Sequence, residues 1–140
     1  MSIRPLCLAL AMTAGPALAQ EATGTIWRLL AIDGTLVAAR STLRIDVDNV
    51  LAGGAPCNRW QAMNRQDLPA LDLGAIRSTR MTCDQMAAET TFFDALALMT
   101  MVEPLDPETL ILTGPDGKTM EFVPDAAVTA PLCKTCPPTE

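Results

Sequence analysis

The chain contains no histidine and no tyrosine. Without histidine there is no Ser-His-Asp or Cys-His relay and no imidazole ligand for a metal. A general base would have to be a carboxylate or a lysine, and the only lysines are Lys118 and Lys134. Positive charge is scarce as well. Ten Lys and Arg stand against 16 Asp and Glu, for a formal net charge of −6. No basic stripe exists, and an acidic surface repels phosphate backbones, so nucleic acid is excluded as a partner. No apolar run reaches the length of a bilayer span. No Asp-x-Asp-x-Asp-Gly loop occurs, so Asp46, Asp48, Asp106 and Glu108 read as a solvated strand face and a turn, not as calcium ligands. Of the eight methionines, Met81, Met86, Met99 and Met101 fall where core side chains are expected, and packing is favoured over copper binding. No catalytic residue, metal or other cofactor is expected.

What is present begins with a leader. Arg4 gives a short positive start, Leu6 to Thr13 is apolar, and Ala17-Leu18-Ala19 is a small-x-small cleavage signal before Gln20. Residues 1–19 therefore read as a secretory signal peptide. Cys7 lies too early for a lipoprotein signal, so no membrane anchor is expected on the mature chain. That chain should be a monomer in the periplasm or outside the cell. Its net charge is −7, since only Arg4 leaves with the leader.

Four cysteines follow the leader: Cys57, Cys83, Cys133 and Cys136. An even number in an oxidising compartment points to two disulfides. Three pairings are possible, and the local arrangement favours Cys57–Cys83 and Cys133–Cys136. Two buried free thiols, or redox chemistry, are the alternatives at Cys57 and Cys83. Cys133 and Cys136 form a C-x-x-C between Pro131 and Pro137-Pro138, outside any strand-to-helix context. A local disulfide loop is favoured there over thiol exchange or metal binding.

Between leader and tail lies room for one domain. Thr25 to Ile32 is β-rich, with Trp27, Leu29 and Leu30 as candidate core residues, and Asp33-Gly34 signals a turn. Leu43, Ile45 and Val47 alternate with Arg44, Asp46 and Asp48, which predicts a strand with one wet face. A return strand runs from Val50 toward Gly53-Gly54, glycines that permit positive φ or close backbone approach. Residues 61–68 supply another strand and turn. Thr82 and Gln85 have capping-box spacing. From Asp84 to about Val102 the period is helical, with Phe92, Leu96 and Met99 on one stripe. Pro104 and Pro107 prevent its continuation. Leu110–Thr113 and Lys118–Val123 flank a Gly-Pro-Asp-Gly turn and predict a hairpin. Residues 20–124 form the expected domain and residues 125–140 a Pro-rich tail.

Two blocks carry a resemblance. G-G-x-x-C-N-R starts at Gly53, and L-x-x-G-x-I-x-x-T-R-M-x-C ends at Cys83. A helix with Glu89, Phe92 and Leu96 follows, then a hairpin ending in Glu121-Phe122; Trp27-x-Leu29 leads. This order, across residues 25–123, resembles the META domain, or HslJ-like, family. The resemblance implies an α+β fold: antiparallel strands curled into a half-barrel around one helix. It also implies an envelope or secreted protein tied to heat shock and antibiotic tolerance, with no established catalytic activity. Many bacterial relatives are lipoproteins, which this chain does not match, and the C-x-x-C tail is extra.

Within the matched blocks, Asn58, Arg59 and Arg80 are candidate binding residues for a carboxylate or phosphate group. The competing reading gives Asn58 a turn and pairs the arginines with Asp84 or Glu89. The expected function is a non-catalytic envelope module that binds a protein or small ligand during stress. The alternative is a periplasmic thiol–disulfide exchanger using Cys133 and Cys136.

Overall fold

The computed structural model describes residues 23–125. The signal peptide and the Cys133–Cys136 tail lie outside the described residues. Among these residues nine strands and one α-helix follow in order, with a single 3-10 turn (Pro115–Gly117) before the last strand: β1 (Ile26–Ile32), β2 (Thr35–Leu36), β3 (Thr42–Ile45), β4 (Val50–Gly54), β5 (Arg59–Met63), β6 (Arg77–Ser78), α1 (Met86–Leu96), β7 (Met101–Asp106), β8 (Thr109–Thr113) and β9 (Thr119–Pro124).

All nine strands belong to one sheet, ordered β6-β5-β4-β3-β1-β9-β8-β7, with β2 paired to β1. The strand pairs are antiparallel, because short turns join most neighbours. Asp33-Gly34 turns β1 into β2 with φ of 49° and 75°. The link between the two halves is β1 against β9, with Trp27 opposite Pro124 and Leu29 opposite Phe122. The sheet curls but does not close, leaving β6 and β7 as its edges. The loop after β5 spans the gap. Leu71 N–H donates to Thr100 O at 2.8 Å, and Val102 N–H to Pro69 O at 2.9 Å. Asn64, 3% exposed, holds that loop: its amide donates to Gln66 O and Ala70 O and accepts from Asp72 N–H.

The concave face buries Trp27, Leu29, Leu43, Ile45, Leu51, Trp60, Leu110, Leu112, Met120 and Phe122. Helix α1 fills the trough with Phe92 and Leu96, and the Phe92 ring meets Trp60 edge-on at 5.8 Å. This is the α+β half-barrel on one helix. Gly53 sits where β4 crosses β3 so closely that a Cβ would lie 1.9 Å from Thr42 O. Its role is close approach, not positive φ.

Several local expectations need correction. Strand β3 ends at Ile45, because Asp46 N–H bonds to Val50 O and Asn49 turns the chain at φ 58°. Val47 is thereby thrown out to 87% exposure. Leu30 is half-buried, facing away from the trough. The helix spans Met86–Leu96, shorter than 84–102 at both ends. At its C-terminus the open edge of β8 competes for the chain: Thr100 N–H bonds to Thr113 O, and Met101 pairs with Thr113. Strand β7 results, and Pro104 is tolerated in it because it is an edge strand. At the N-terminus no capping box forms. Gln85 is itself the N-cap and makes no side-chain cap bond. Of the four methionines assigned to the core, only Met99 is buried; Met81, Met86 and Met101 are exposed.

Candidate functional site

The two motif blocks meet beneath the N-terminal end of α1. The strand pairing of β5 with β6, Trp60 opposite Ser78 and Gln61 opposite Arg77, brings residues 57–59 beside residues 79–83. Cys57 and Cys83 are joined by a disulfide with Cα atoms 5.7 Å apart, across a sequence separation of 26. In the chain-entropy model such a loop contributes about 3.5 kcal/mol. The bond also explains the delayed helix start, since Gln85 N–H points at Cys83 Sγ at 3.3 Å.

Beside the disulfide lies a buried polar knot. Asn58 is 5% exposed and Glu89 4%. Glu89 Oε2 accepts from Cys57 N–H at 2.8 Å and Asn58 N–H at 2.9 Å, and Oε1 accepts from Asn58 Nδ2 at 2.6 Å. Asn58 Oδ1 accepts from the Thr79 hydroxyl at 2.8 Å and Met81 N–H at 2.7 Å, while Nδ2 also donates to Met81 O at 3.1 Å. Both lone pairs and both protons of the Asn58 amide are thus used. Glu89 sits in the first turn of the helix, where the macrodipole favours an anion.

The candidate binding residues therefore separate. Asn58 has nothing left for a ligand; it is a tie between three segments. Arg59 and Arg80 are exposed and pair with neither Asp84 nor Glu89. Glu89 lies at the centre of this knot although it is not among the candidate binding residues. Its signal was available: at i−3 from Phe92 and i−7 from Leu96 it lies on the buried stripe. Among the described residues no cluster of three His, Cys, Asp or Glu could hold a metal. The pair Cys133 and Cys136 lies outside the described residues.

The META domain family model matches residues 20–127. The chain belongs to the META domain family. Asn58 and Glu89 thus tie together the blocks by which this META domain is recognised. Its fold is similar to an NMR structure of a protein from Burkholderia xenovorans, which is 25% identical. That match covers 89% of this chain and 99% of the other, with a TM-score of 0.61. A second NMR structure, 15% identical with a TM-score of 0.56, covers 74% of this chain and 92% of the other and shows the fold alone. No curated protein matches the chain.

Proposed function

We propose that this META domain is a non-catalytic binding module of the bacterial envelope, periplasmic or secreted, that acts during stress. The observation that carries the reading is the fate of the motif residues. The buried carboxylate of Glu89 is enclosed by three donors and has no path to a substrate, while Arg59 and Arg80 are exposed and have no ion pair among the described residues. A chain without histidine that spends the buried Asn58 and Glu89 on its own architecture is built to present a surface. The Cys57–Cys83 bond supports an oxidising compartment, and the stress role rests on the family resemblance.

The test has two arms. Intact-mass measurement of the exported protein should give a chain beginning at Gln20 without lipid. Crosslinking of that mature chain in periplasmic extract should recover a defined partner or ligand. A cytoplasmic protein retaining Met1, or turnover of a substrate by the purified mature chain, refutes the reading.

A further inference from the structure

Charge in this acidic protein is not evenly spread. Residues 49–66 and 73–83 contain no Asp or Glu, yet they carry Arg59, Arg65, Arg77 and Arg80. These segments build β4, β5 and β6, the open end of the sheet. Four described cations are paired: Arg40 with Asp125, Arg44 with Asp46 and Lys118 with Asp33 outside these segments, and Arg65 with Asp72 at their edge. Among the described residues four cations have no ion pair: Arg28, Arg59, Arg77 and Arg80. Three of these four are on the β5–β6 side.

The register places two of them together. Trp60 and Ala62 point into the core, so Arg59, Gln61 and Met63 face outward along β5. Gln61 lies opposite Arg77, with Arg59 one position along on the same face. On the other side of β5 stand Ala52 and Gly54, opposite Gln61 and Arg59, which keep the face low. Two shallow depressions of about 300 and 270 Å³ share Gln61 and Arg77 between them. Among the described residues no strand pairs with the far side of β6.

We propose that the outer face of β5–β6 docks an extended acidic segment of a partner protein, its carboxylates on Arg59 and Arg77 and its backbone along the open edge of β6. Charge complementarity selects the acid, since two exposed guanidiniums that have no ion pair among the described residues bind carboxylates in fork geometry. The open strand edge selects an extended polypeptide, because only a backbone can continue the ladder. Gln61 between the arginines adds an amide that both donates and accepts. The inference rests on the binding-module reading and gives it a surface and a partner chemistry.

The experiment is fluorescence anisotropy on the mature chain. The probe is a labelled decapeptide alternating glutamate and valine. The expected result is saturable binding that weakens roughly tenfold in the Arg59→Ala, Arg77→Ala double variant. Arg28→Ala, an unpaired arginine three strands along the sheet, should leave affinity within about twofold. Replacing the peptide's glutamates by glutamine, or every second residue by proline, should abolish binding. No binding at about 1 mM peptide, or equal losses in Arg28→Ala and the double variant, overturns the proposal. So does arginine-dependent binding to phosphatidylglycerol vesicles in place of the peptide. If the double variant still recovers the partner captured from periplasm, the binding-module reading stands and this surface is the wrong one.

Discussion

Replacing Glu89 by glutamine changes one atom and no volume, yet it should be among the costliest isosteric changes in the protein. The amide brings one acceptor where the carboxylate has two. If its oxygen takes the Oε2 position, it keeps the bonds from Cys57 N–H and Asn58 N–H at neutral strength. Its NH2 then faces Asn58 Nδ2 across 2.6 Å, donor against donor. Turning the glutamine amide over rescues that contact and abandons both backbone donors. Asn58 cannot turn instead, because its Oδ1 already accepts from Thr79 and Met81. Hydrogen bonds to a charged acceptor contribute about 1.5–3 kcal/mol each, and an unpaired buried donor costs about 1–3 kcal/mol. Removing a buried charge returns part of this by sparing its desolvation. The net loss should be about 2–4 kcal/mol for Glu89→Gln and about 3–5 kcal/mol for Glu89→Ala, which strands all three donors and opens a cavity. Urea denaturation read by tryptophan fluorescence measures it, as a lower midpoint at unchanged slope. A Glu89→Gln variant within about 0.5 kcal/mol of the parent would refute the assigned donor pattern.

Four further outcomes follow from the geometry. Replacing Cys57 and Cys83 together should lower stability by about 2–5 kcal/mol in the same assay, and peptide mapping should find them joined to each other. Phe92→Ala and Leu96→Ala should each cost about 2–5 kcal/mol, whereas Thr91→Ala, at an exposed side chain, should cost well under about 1 kcal/mol by thermal melting. Gly53→Ala should cost about 3 kcal/mol or prevent folding, because the new methyl would overlap Thr42 O, while Gly54→Ala, with 3.4 Å to Thr42 Oγ1, should stay within about 1 kcal/mol. Asp33 is held below its ordinary carboxyl value by Lys118 Nζ, and next by Thr119 N–H. Its contribution is present at neutral pH and lost as pH falls through that lowered value, so the stability gap between parent and Asp33→Asn should shrink below about pH 4.

How much of this was legible depends on where the deciding interaction lay. Leu43 and Ile45 alternate with Arg44, and Leu110–Thr113 flanks a turn, so local pattern alone predicted those strands. Phe92 and Leu96 marked the buried helix face for the same reason. Val47 continued the alternation on paper, but a turn beginning at Asp46 ended the strand before it. Strand β7 was invisible because its pairing partner, β8, lies in the following segment, and its Pro104 read as a stop signal rather than as an edge residue. The capping box had the right residue types, but the disulfide and the Asn58 bonds to Met81 keep residues 81–83 out of the helix, which starts only at Met86. At Val47 a local turn cut the alternation short, whereas at β7 and at the helix start a bond to a distant residue overrode the local preference.

The knot is polar because two-residue β6 needs its register fixed from outside. A pair of apolar side chains would fill the volume of Asn58 and Glu89 and avoid the desolvation of a carboxylate. It would not fix register. Strand β6 is only two residues long, too short to hold its own alignment by ladder bonds or by a buried face. Asn58 accepts from Thr79 and Met81 and donates to Met81 O, a pattern that fits one placement of residues 79–81 and no neighbouring one. Glu89 then ties that placement to α1. Arg77 is set opposite Gln61 by the alignment this knot imposes, so the exposed arginine face depends on the buried amide of Asn58. That dependence can be checked directly. Asn58→Ala should weaken binding of the acidic peptide even in molecules that remain folded, and restoring stability with a tightened core elsewhere should not restore it.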